Sequence, residues 1–441
     1  MENLEPSNNK LQHNIKNLTV AQLLLAYLKL EGVDKIFGIP GGAVIYITNE
    51  LKKHREEIDF VVCRQETGAA YIADGYNRVT ERLGVVLTTA GPSATNALTG
   101  AMNAEAGNSS VLVITGEVPE KFFGQAYLQE GVDAHLDVNA IYKNAVQSSA
   151  MIVSPLSFQT LIQQALRDAL SRPARAAHIS IPNDVANMCV TPTTGGNTDI
   201  PFPYQPENYR ATPIGADPAQ MKNAFDAMAG ATRPLIFLGN GARRALRDKN
   251  RLERFKAVVE RYAIPVMTSP DGKGIFPESD RMSLRNYGMT ACAWPEVYME
   301  DRDSADHFDA LMVLGSSLGE LATSPTATHH YYKRLSPTTH FIQIDLDQSV
   351  IGRSFPVSLG VVGDISAALD QFCAYAEQSE PGSGVAHRQA LIKEIKEATP
   401  FEYPIQRSGD DSPLHPAAAM RILNELVTDG HIFIDAGNCV G

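Results

Sequence analysis

From Leu18 onward, short apolar runs alternate with longer amphipathic stretches. In the first amphipathic stretch Leu23, Leu24, Tyr27 and Leu30 recur at three- and four-residue spacing, which predicts a helix. Thr19, just ahead of it, carries a hydroxyl suited to capping that helix. Lys35–Ile39 is a short apolar run that breaks at Pro40-Gly41-Gly42, so it predicts a strand and a sharp turn. Phe60–Cys63 predicts a second strand, followed by a helix through Glu66–Arg78. Gly84–Thr88 predicts a third strand, with Gly91-Pro92-Ser93 as its turn, and Val111–Thr115 and Ala177–Ile181 predict two more. Strands that alternate with helices imply parallel sheets covered on both faces, a doubly wound α/β architecture.

The stretch from Thr191 to Asp217 is rich in Thr, Pro, Gly and Asn and predicts an interdomain linker. A second α/β unit follows, with strands expected at Leu235–Leu238, Pro265–Thr268, Ala310–Leu314 and Phe341–Ile344 and a helix at Asn250–Arg261. It is expected to end near Phe372. The polar stretch from Ala374 to Pro413 predicts another linker. A third unit starts near Pro416, with a helix through Leu426 and a strand at Ile432–Asp435, and the sequence stops at Gly441. One helix and one strand cannot bury a parallel-sheet core. The third unit is therefore expected to be incomplete.

Composition narrows the function. With 44% hydrophobic and 20% charged residues, the 441-residue chain can build large cores. A formal net charge of −12 argues against general nucleic-acid binding, which needs a basic face. No run of apolar residues is long enough for a membrane span. The polar N-terminus lacks an apolar signal core, and the five scattered cysteines form no CxxC pair. These features predict a cytoplasmic protein. None of the eleven histidines has HExxH spacing, and no residue is named as a metal ligand. Both GxGxxG after the first strand and GxxxxGK[ST] are missing, so nicotinamide and P-loop readings lose their usual support.

Candidate chemistry gathers at the strand ends. Glu66 stands in Arg64-Gln65-Glu66-Thr67-Gly68-Ala69-Ala70, directly after an apolar strand and at the start of a small-residue helix. On periodicity alone it reads as a solvated first-turn glutamate. In open α/β sheets, however, ligands sit beyond the carboxyl ends of the strands. The turns Pro40-Gly41-Gly42 and Gly91-Pro92-Ser93-Ala94-Thr95-Asn96 also follow strands there, and their small residues let backbone come close to a flat ligand.

The order GVDKIFGIPGGAV, RQETGAAYIADGYNRVT, GVVLTTAGPSATNALTGAMNA and VLVITGEV resembles the pyrimidine-binding domain of thiamine-diphosphate enzymes of the acetolactate-synthase-like group. RPLIFLGNGA, IPVMTSPDGKGIFPES, DALMVLGSSL, FIQIDLD and VVGD resemble the family's central domain. HPAAAMRILNELVTDGHIFIDAGN resembles the opening of its diphosphate-binding domain. The resemblance implies a pyrimidine-binding domain at residues 18–190, a central domain at 218–373 and the start of a diphosphate-binding domain at 414–441. It also implies thiamine diphosphate as cofactor, with Mg2+ held by ligands outside this sequence. The site would lie at a subunit interface of a homodimer or homotetramer.

Glu66 matches the family glutamate that hydrogen-bonds the aminopyrimidine ring and promotes the imino form that activates thiazolium C2. An apolar setting is expected to raise its pKa. Gly42 matches the turn that approaches the reacting centre, and Thr89 and Asn96 match positions near the pyrimidine. Gln129 resembles a glutamine near the substrate pocket. Plain turn or loop roles remain open for Thr89, Asn96 and Gln129. The implied activity is decarboxylation of pyruvate or a related 2-oxo acid, with transfer of the acyl unit to a carbonyl acceptor. Alternatives are simple decarboxylation or carbon–carbon lysis, and a non-catalytic nucleotide-binding protein that keeps the fold.

Three departures mark a divergent member. Gln65 stands where the family commonly has His, Ser93 replaces the second Gly of a GPG turn, and Asn108 stands at a usually acidic position. In the central domain, Gly239-Asn240-Gly241-Ala242-Arg243-Arg244 could receive a phosphate at a helix start, with Arg243 and Arg244 suited to its charge, but reads first as a structural glycine turn with exposed arginines. The stretch Arg285-Asn286-Tyr287-Gly288-Met289-Thr290 only partly resembles the family's FAD-contacting segment, so FAD is not expected.

Overall fold

The computed structural model describes residues 18–133, 135–190, 205–211, 214–289, 291–300, 308–325, 333–401, 412, 414 and 416–432. The chain divides between residues 212 and 213 into two compact units. Each holds one six-stranded sheet whose neighbouring strands all run parallel, as the alternation of strands and helices predicts.

In the first unit the strands are β1 (Lys35–Gly38), β2 (Asp59–Val62), β3 (Gly84–Thr88), β4 (Val111–Glu117), β5 (Ser148–Met151) and β6 (Ala176–Pro182). The helices are α1 (Val20–Leu30), α2 (Ile45–Lys53), α3 (Glu66–Thr80), α4 (Pro92–Ala106), α5 (Val138–Lys143), α6 (Pro155–Leu170) and α7 (Asn183–Asn187). Thr19 does cap α1: its hydroxyl accepts from the Gln22 N–H, and the Gln22 side chain accepts from the Thr19 N–H. Such a capping box contributes on the order of 1 kcal/mol.

The strand order is β2-β1-β3-β4-β6-β5. β3, β4 and β6 are buried along their whole length, which explains their largely apolar sequences. One face of the sheet packs Leu23, Leu24, Phe158 and Ile162 against Ile36, Leu87 and Leu112. The other packs the alanines of α3 and α4 against Val86 and Val113. Those two helices touch through small residues: a Cβ added at Gly100 would lie 2.5 Å from the Ala70 methyl carbon. This close approach brings the first turns of α3 and α4 into hydrogen-bonding range.

The second unit contains β7 (Pro234–Leu238), β8 (Val266–Thr268), β9 (Ser283–Asn286), β10 (Ala310–Leu314), β11 (His340–Asp345) and β12 (Leu359–Val362), in the order β12-β11-β10-β7-β8-β9. Its helices are α8 (Pro218–Gly230), α9 (Arg243–Arg247), α10 (Lys249–Arg261), α11 (Ala293–Glu300), α12 (Glu320–Thr323), α13 (Ile365–Gln378), α14 (Val385–Ala398) and α15 (Pro416–Leu426). The order reverses between β7 and β10, the arrangement of dinucleotide-binding sheets.

Three strands are additional to the predicted set. All three, β5, β9 and β12, are short edge strands; β5 (SSAM) and β9 (SLRN) are of mixed sequence, and β12 (LGVV) is a four-residue apolar run. The stretch expected as a second linker also differs. α13 continues to Gln378, and α14 packs Ile392 and Ile395 into the core of the unit. The helix expected through Leu426 is present as α15, and most of the strand expected at Ile432–Asp435 lies outside the described residues. No described helix is long and apolar enough to cross a membrane.

Candidate active site

In the first sheet the chain steps from β1 to β2 on one side, then crosses to β3 on the other. The loops that leave β1 and β3 at their carboxyl ends therefore stand at the switch point, where open α/β sheets place their ligands. Gly41-Gly42 leaves β1 and Thr89 leaves β3. The Thr89 hydroxyl accepts from the Ala43 N–H at 3.4 Å. A Cβ on Gly41 would sit 2.5 Å from the Thr89 Cβ, so glycine is what lets the two turns meet. Beyond Gly42 the space is open, with no heavy atom within 4 Å of an added Cβ. The Gly42 carbonyl accepts from the Asn183 side-chain amide at 2.7 Å, which fixes the turn from the far side.

Glu66 opens α3 four residues after the end of β2 and is 9% exposed. The Ser93 hydroxyl donates to its Oε1 at 2.6 Å, and the Asn96 amide donates to its Oε2 at 3.1 Å. Thr67 ties the same helix ends together, its hydroxyl donating to the Asn96 carbonyl at 2.6 Å. Of the residues expected at the site, Glu66 and Asn96 are thus in direct contact, and Gly42 and Thr89 share one turn junction.

The expected rise in the Glu66 pKa is not found. Burial acts to raise it, but the Ser93 hydroxyl, the residue's own backbone N–H and the Asn96 amide together bring it below the ordinary value. The apolar residues around the strand end are real, but the carboxylate itself faces donors. Ser93, noted in the sequence only as a departure, is the shortest of these contacts.

Gln129 is exposed and takes a left-handed backbone conformation, φ +62°. Its position comes from the loop that carries it. Glu117, at the end of β4 and 1% exposed, accepts from the N–H groups of Val118 at 2.8 Å and Gly131 at 3.1 Å. Glu130 accepts from the N–H groups of Gly124 and Tyr127. Burial holds the Glu117 pKa above the carboxylate norm; its two N–H donors oppose that and the neighbouring Glu130 adds to it. Sequence reasoning passed over Glu117. A single acidic residue closing the apolar run Val111–Thr115 and its glycine was the available signal.

Gly91 joins this loop to α4. Its φ of +57° and ψ of −116° lie in a region reserved for glycine, and an added Cβ would be 2.6 Å from the Gln129 carbonyl oxygen. Gly91→Ala should therefore cost about 2 kcal/mol and loosen residues 124–131. Urea unfolding and the rate of proteolytic cleavage in that loop check this; a variant as stable and as resistant as the parent refutes it.

In the second unit, Gly239 and Gly241 pack on Gly315 across the β7–β10 reversal, and the Gly241 N–H donates to the Gly315 carbonyl at 2.9 Å. Arg243 donates to Asn240 Oδ1 at 3.0 Å and to the Asp271 carbonyl at 2.7 Å, so its guanidinium braces the neighbouring loop. These contacts fit the structural reading of the glycine turn. Arg285 stacks on Phe401 with 3.8 Å to the ring centroid and pairs with Glu278 at 3.1 Å.

Sequence comparison supplies the family. Residues 18–137 match the model for the thiamine pyrophosphate enzyme N-terminal TPP binding domain, and residues 221–372 match that for the central domain. The chain belongs to the thiamine pyrophosphate enzymes. It is 27% identical over 426 residues to an acetolactate synthase large subunit of Parasynechococcus marenigrum, covering 96% of this chain and 64% of that one. It is 27% identical over 422 residues to an acetolactate synthase of Mycobacterium bovis, covering 95% and 63%. To an acetolactate synthase of Arthrospira platensis it is 28% identical over 408 residues, covering 90% and 65%. The chain thus spans a little under two thirds of the length of these curated relatives. The first family match begins at the α1 cap and runs past Gln129, so it takes in every candidate site residue.

Proposed function

We propose that the chain carries the cofactor-activating half of a thiamine-diphosphate-dependent carboligase, which decarboxylates pyruvate or a related 2-oxo acid and transfers the acyl unit to a carbonyl acceptor. The observation that carries this reading is Glu66: a buried carboxylate fixed by two donors at the carboxyl edge of a switch-point sheet. The residues fit the cofactor. Each Glu66 oxygen has one described side-chain donor and keeps acceptor capacity for a ring nitrogen. The Gly41-Gly42 turn brings bare backbone beside open space.

When bound, thiamine diphosphate supplies the thiazolium ring that accepts electrons as carbon dioxide leaves. Glu66 would hold a proton at the pyrimidine nitrogen. Gly42, Thr89 and Asn96 would set the depth and tilt of that ring, and Gln129 would offer a neutral amide to the substrate. Residues 18–190 act as the pyrimidine-binding domain, 218–373 as the central domain, and 414–441 begin the diphosphate-binding domain. Mg2+ and the diphosphate would be held by residues outside this sequence, and the site would be completed across the interface of a homodimer or homotetramer.

Calorimetric titration of the full chain, with the diphosphate and Mg2+ ligands present, by thiamine diphosphate and Mg2+, followed by incubation with pyruvate, tests the reading. Saturable binding and carbon dioxide release are expected. No binding at millimolar cofactor would refute it. Adding a second carbonyl compound then separates carboligation, which yields a condensed hydroxy-ketone, from simple decarboxylation, which yields the aldehyde.

A further inference from the structure

Glu66 has protein donors on both oxygens. Ser93, 5% exposed in the first turn of α4, spends its hydroxyl on Oε1. Asn96, one turn later, spends its amide on Oε2. The two donors lie three residues apart on one helix face, so a single helix turn grips the carboxylate from one side. Gly91 absorbs the unusual backbone angles ahead of this turn, which leaves position 93 free to carry a side chain within ordinary helix geometry.

We propose that Ser93 is a positioning residue for Glu66: with Asn96 it forms a two-donor clamp that fixes the carboxylate and leaves a ligand nitrogen only the remaining acceptor directions. The identity of that ligand, the cofactor's pyrimidine ring, rests on the function proposed above. The two donors are not equivalent. An amide NH2 can only donate, so Asn96 disfavours a proton on Oε2. A hydroxyl can donate to a carboxylate or accept from a carboxylic acid. A proton arriving on Glu66 is therefore directed to Oε1, where the Ser93 hydroxyl can turn to receive it. The clamp thus selects one oxygen for proton exchange and weights the shared proton toward the ligand nitrogen.

The groups that set the ionisation of Glu66 are Ser93, Asn96 and its own backbone N–H, all neutral. The charged groups on the packed elements are engaged with others: Asp74 with Arg78 and Asn103, Glu105 with Arg175 and the Ala176 N–H, and Glu117 with the Val118 and Gly131 N–H groups. Lys35 pairs with Asp59, and Arg64 is exposed.

The test is an NMR titration of side-chain carbon-13-labelled glutamate in the cofactor-free full chain, diphosphate and Mg2+ ligands included, with the Glu66 signal assigned by its loss in Glu66→Gln. Ser93→Ala should raise the Glu66 midpoint by about one pH unit, since a charge-assisted hydrogen bond is lost and burial remains. Ser93→Thr should restore most of the difference. Ser93→Cys, nearly isosteric and a weak donor, should move it the same way as alanine and guards against a fold defect in Ser93→Ala. Calorimetry on the same samples should show thiamine diphosphate binding several-fold weaker to Ser93→Ala than to the parent. An unmoved midpoint in folded Ser93→Ala or Ser93→Cys overturns the clamp, whatever the cofactor does. A moved midpoint in a parent chain that binds no thiamine diphosphate overturns the functional reading instead, and with it the role of Ser93 toward the cofactor.

Discussion

Glu66→Gln should lower turnover by about 10²–10⁴-fold, the usual range for loss of a positioned proton-transfer group. The substitution keeps the size of the side chain and its capacity to hydrogen-bond, but an amide cannot take up and return a proton. Two features of the site sharpen the expectation. The Asn96 amide must face an acceptor, so the glutamine oxygen is drawn to the Oε2 position and its NH2 group to Oε1. There the NH2 can donate to the Ser93 hydroxyl oxygen, so the fold is satisfied while the oxygen proposed to exchange the proton is gone. Thermal unfolding should therefore change by only a few degrees, and cofactor affinity should fall less than turnover. The measurement is kcat with pyruvate at saturating cofactor, alongside the binding constant from calorimetry. A variant within tenfold of the parent would remove Glu66 from the proposed role.

What the sequence disclosed and what it hid divide along burial and distance. β3 and β10 were legible to the residue because each is an unbroken apolar run buried on both faces. The Thr19 cap was legible because its partner is three residues away. β5, with the sequence SSAM, and β9, with SLRN, carry no such signal, because an edge strand needs only partial cover. α14 was hidden differently. Its buried positions Arg388, Ile392 and Ile395 do follow helical spacing, but an arginine heads the stripe and the flanking composition is that of a linker.

The site shows the same division. That Glu66 was a candidate was readable from its place after a strand and from the family resemblance. That its pKa falls was not, because Ser93 and Asn96 come from the next helix and reach it only through the close alanine and glycine packing of α3 on α4. Gln129 was named from resemblance, whereas its anchor, Glu117, lies a dozen residues earlier and acts through backbone N–H groups that have no signature in sequence.

The same helix turn is tied to a second buried group, and this gives the acid behaviour of the first unit. His178 on β6 is 0% exposed; its Nε2 meets the Thr115 hydroxyl at 3.0 Å and its Nδ1 the Ser149 hydroxyl at 2.8 Å. Its ring stacks on Tyr142 with centroids 3.9 Å apart, and the Tyr142 hydroxyl donates to the carbonyl of Ala94, the residue after Ser93. Burial pushes the His178 pKa from 6.5 down to about 3. Between those values the unfolded chain binds a proton that the native chain does not, so stability rises with pH across the window and falls as acid is added. The slope is about 1.4 kcal/mol per pH unit, so the loss between pH 7 and pH 4.5 is about 3 kcal/mol from this residue alone. Glu31 and Glu117, whose pKa values are raised by burial, oppose that trend, and Asp34, whose value is lowered, joins it only at stronger acid. The contribution of His178 is therefore read as a difference between chains. Urea unfolding of the parent and of His178→Asn, followed by far-UV circular dichroism at pH 7 and pH 4.5, should show the parent losing about 3 kcal/mol more than the variant. Equal losses would mean that the imidazole is protonated in the native sheet. Protonation there would force both ring nitrogens to donate and strip Tyr142 of a neutral stacking partner, which would loosen the turn that holds Ser93 and Asn96 on Glu66.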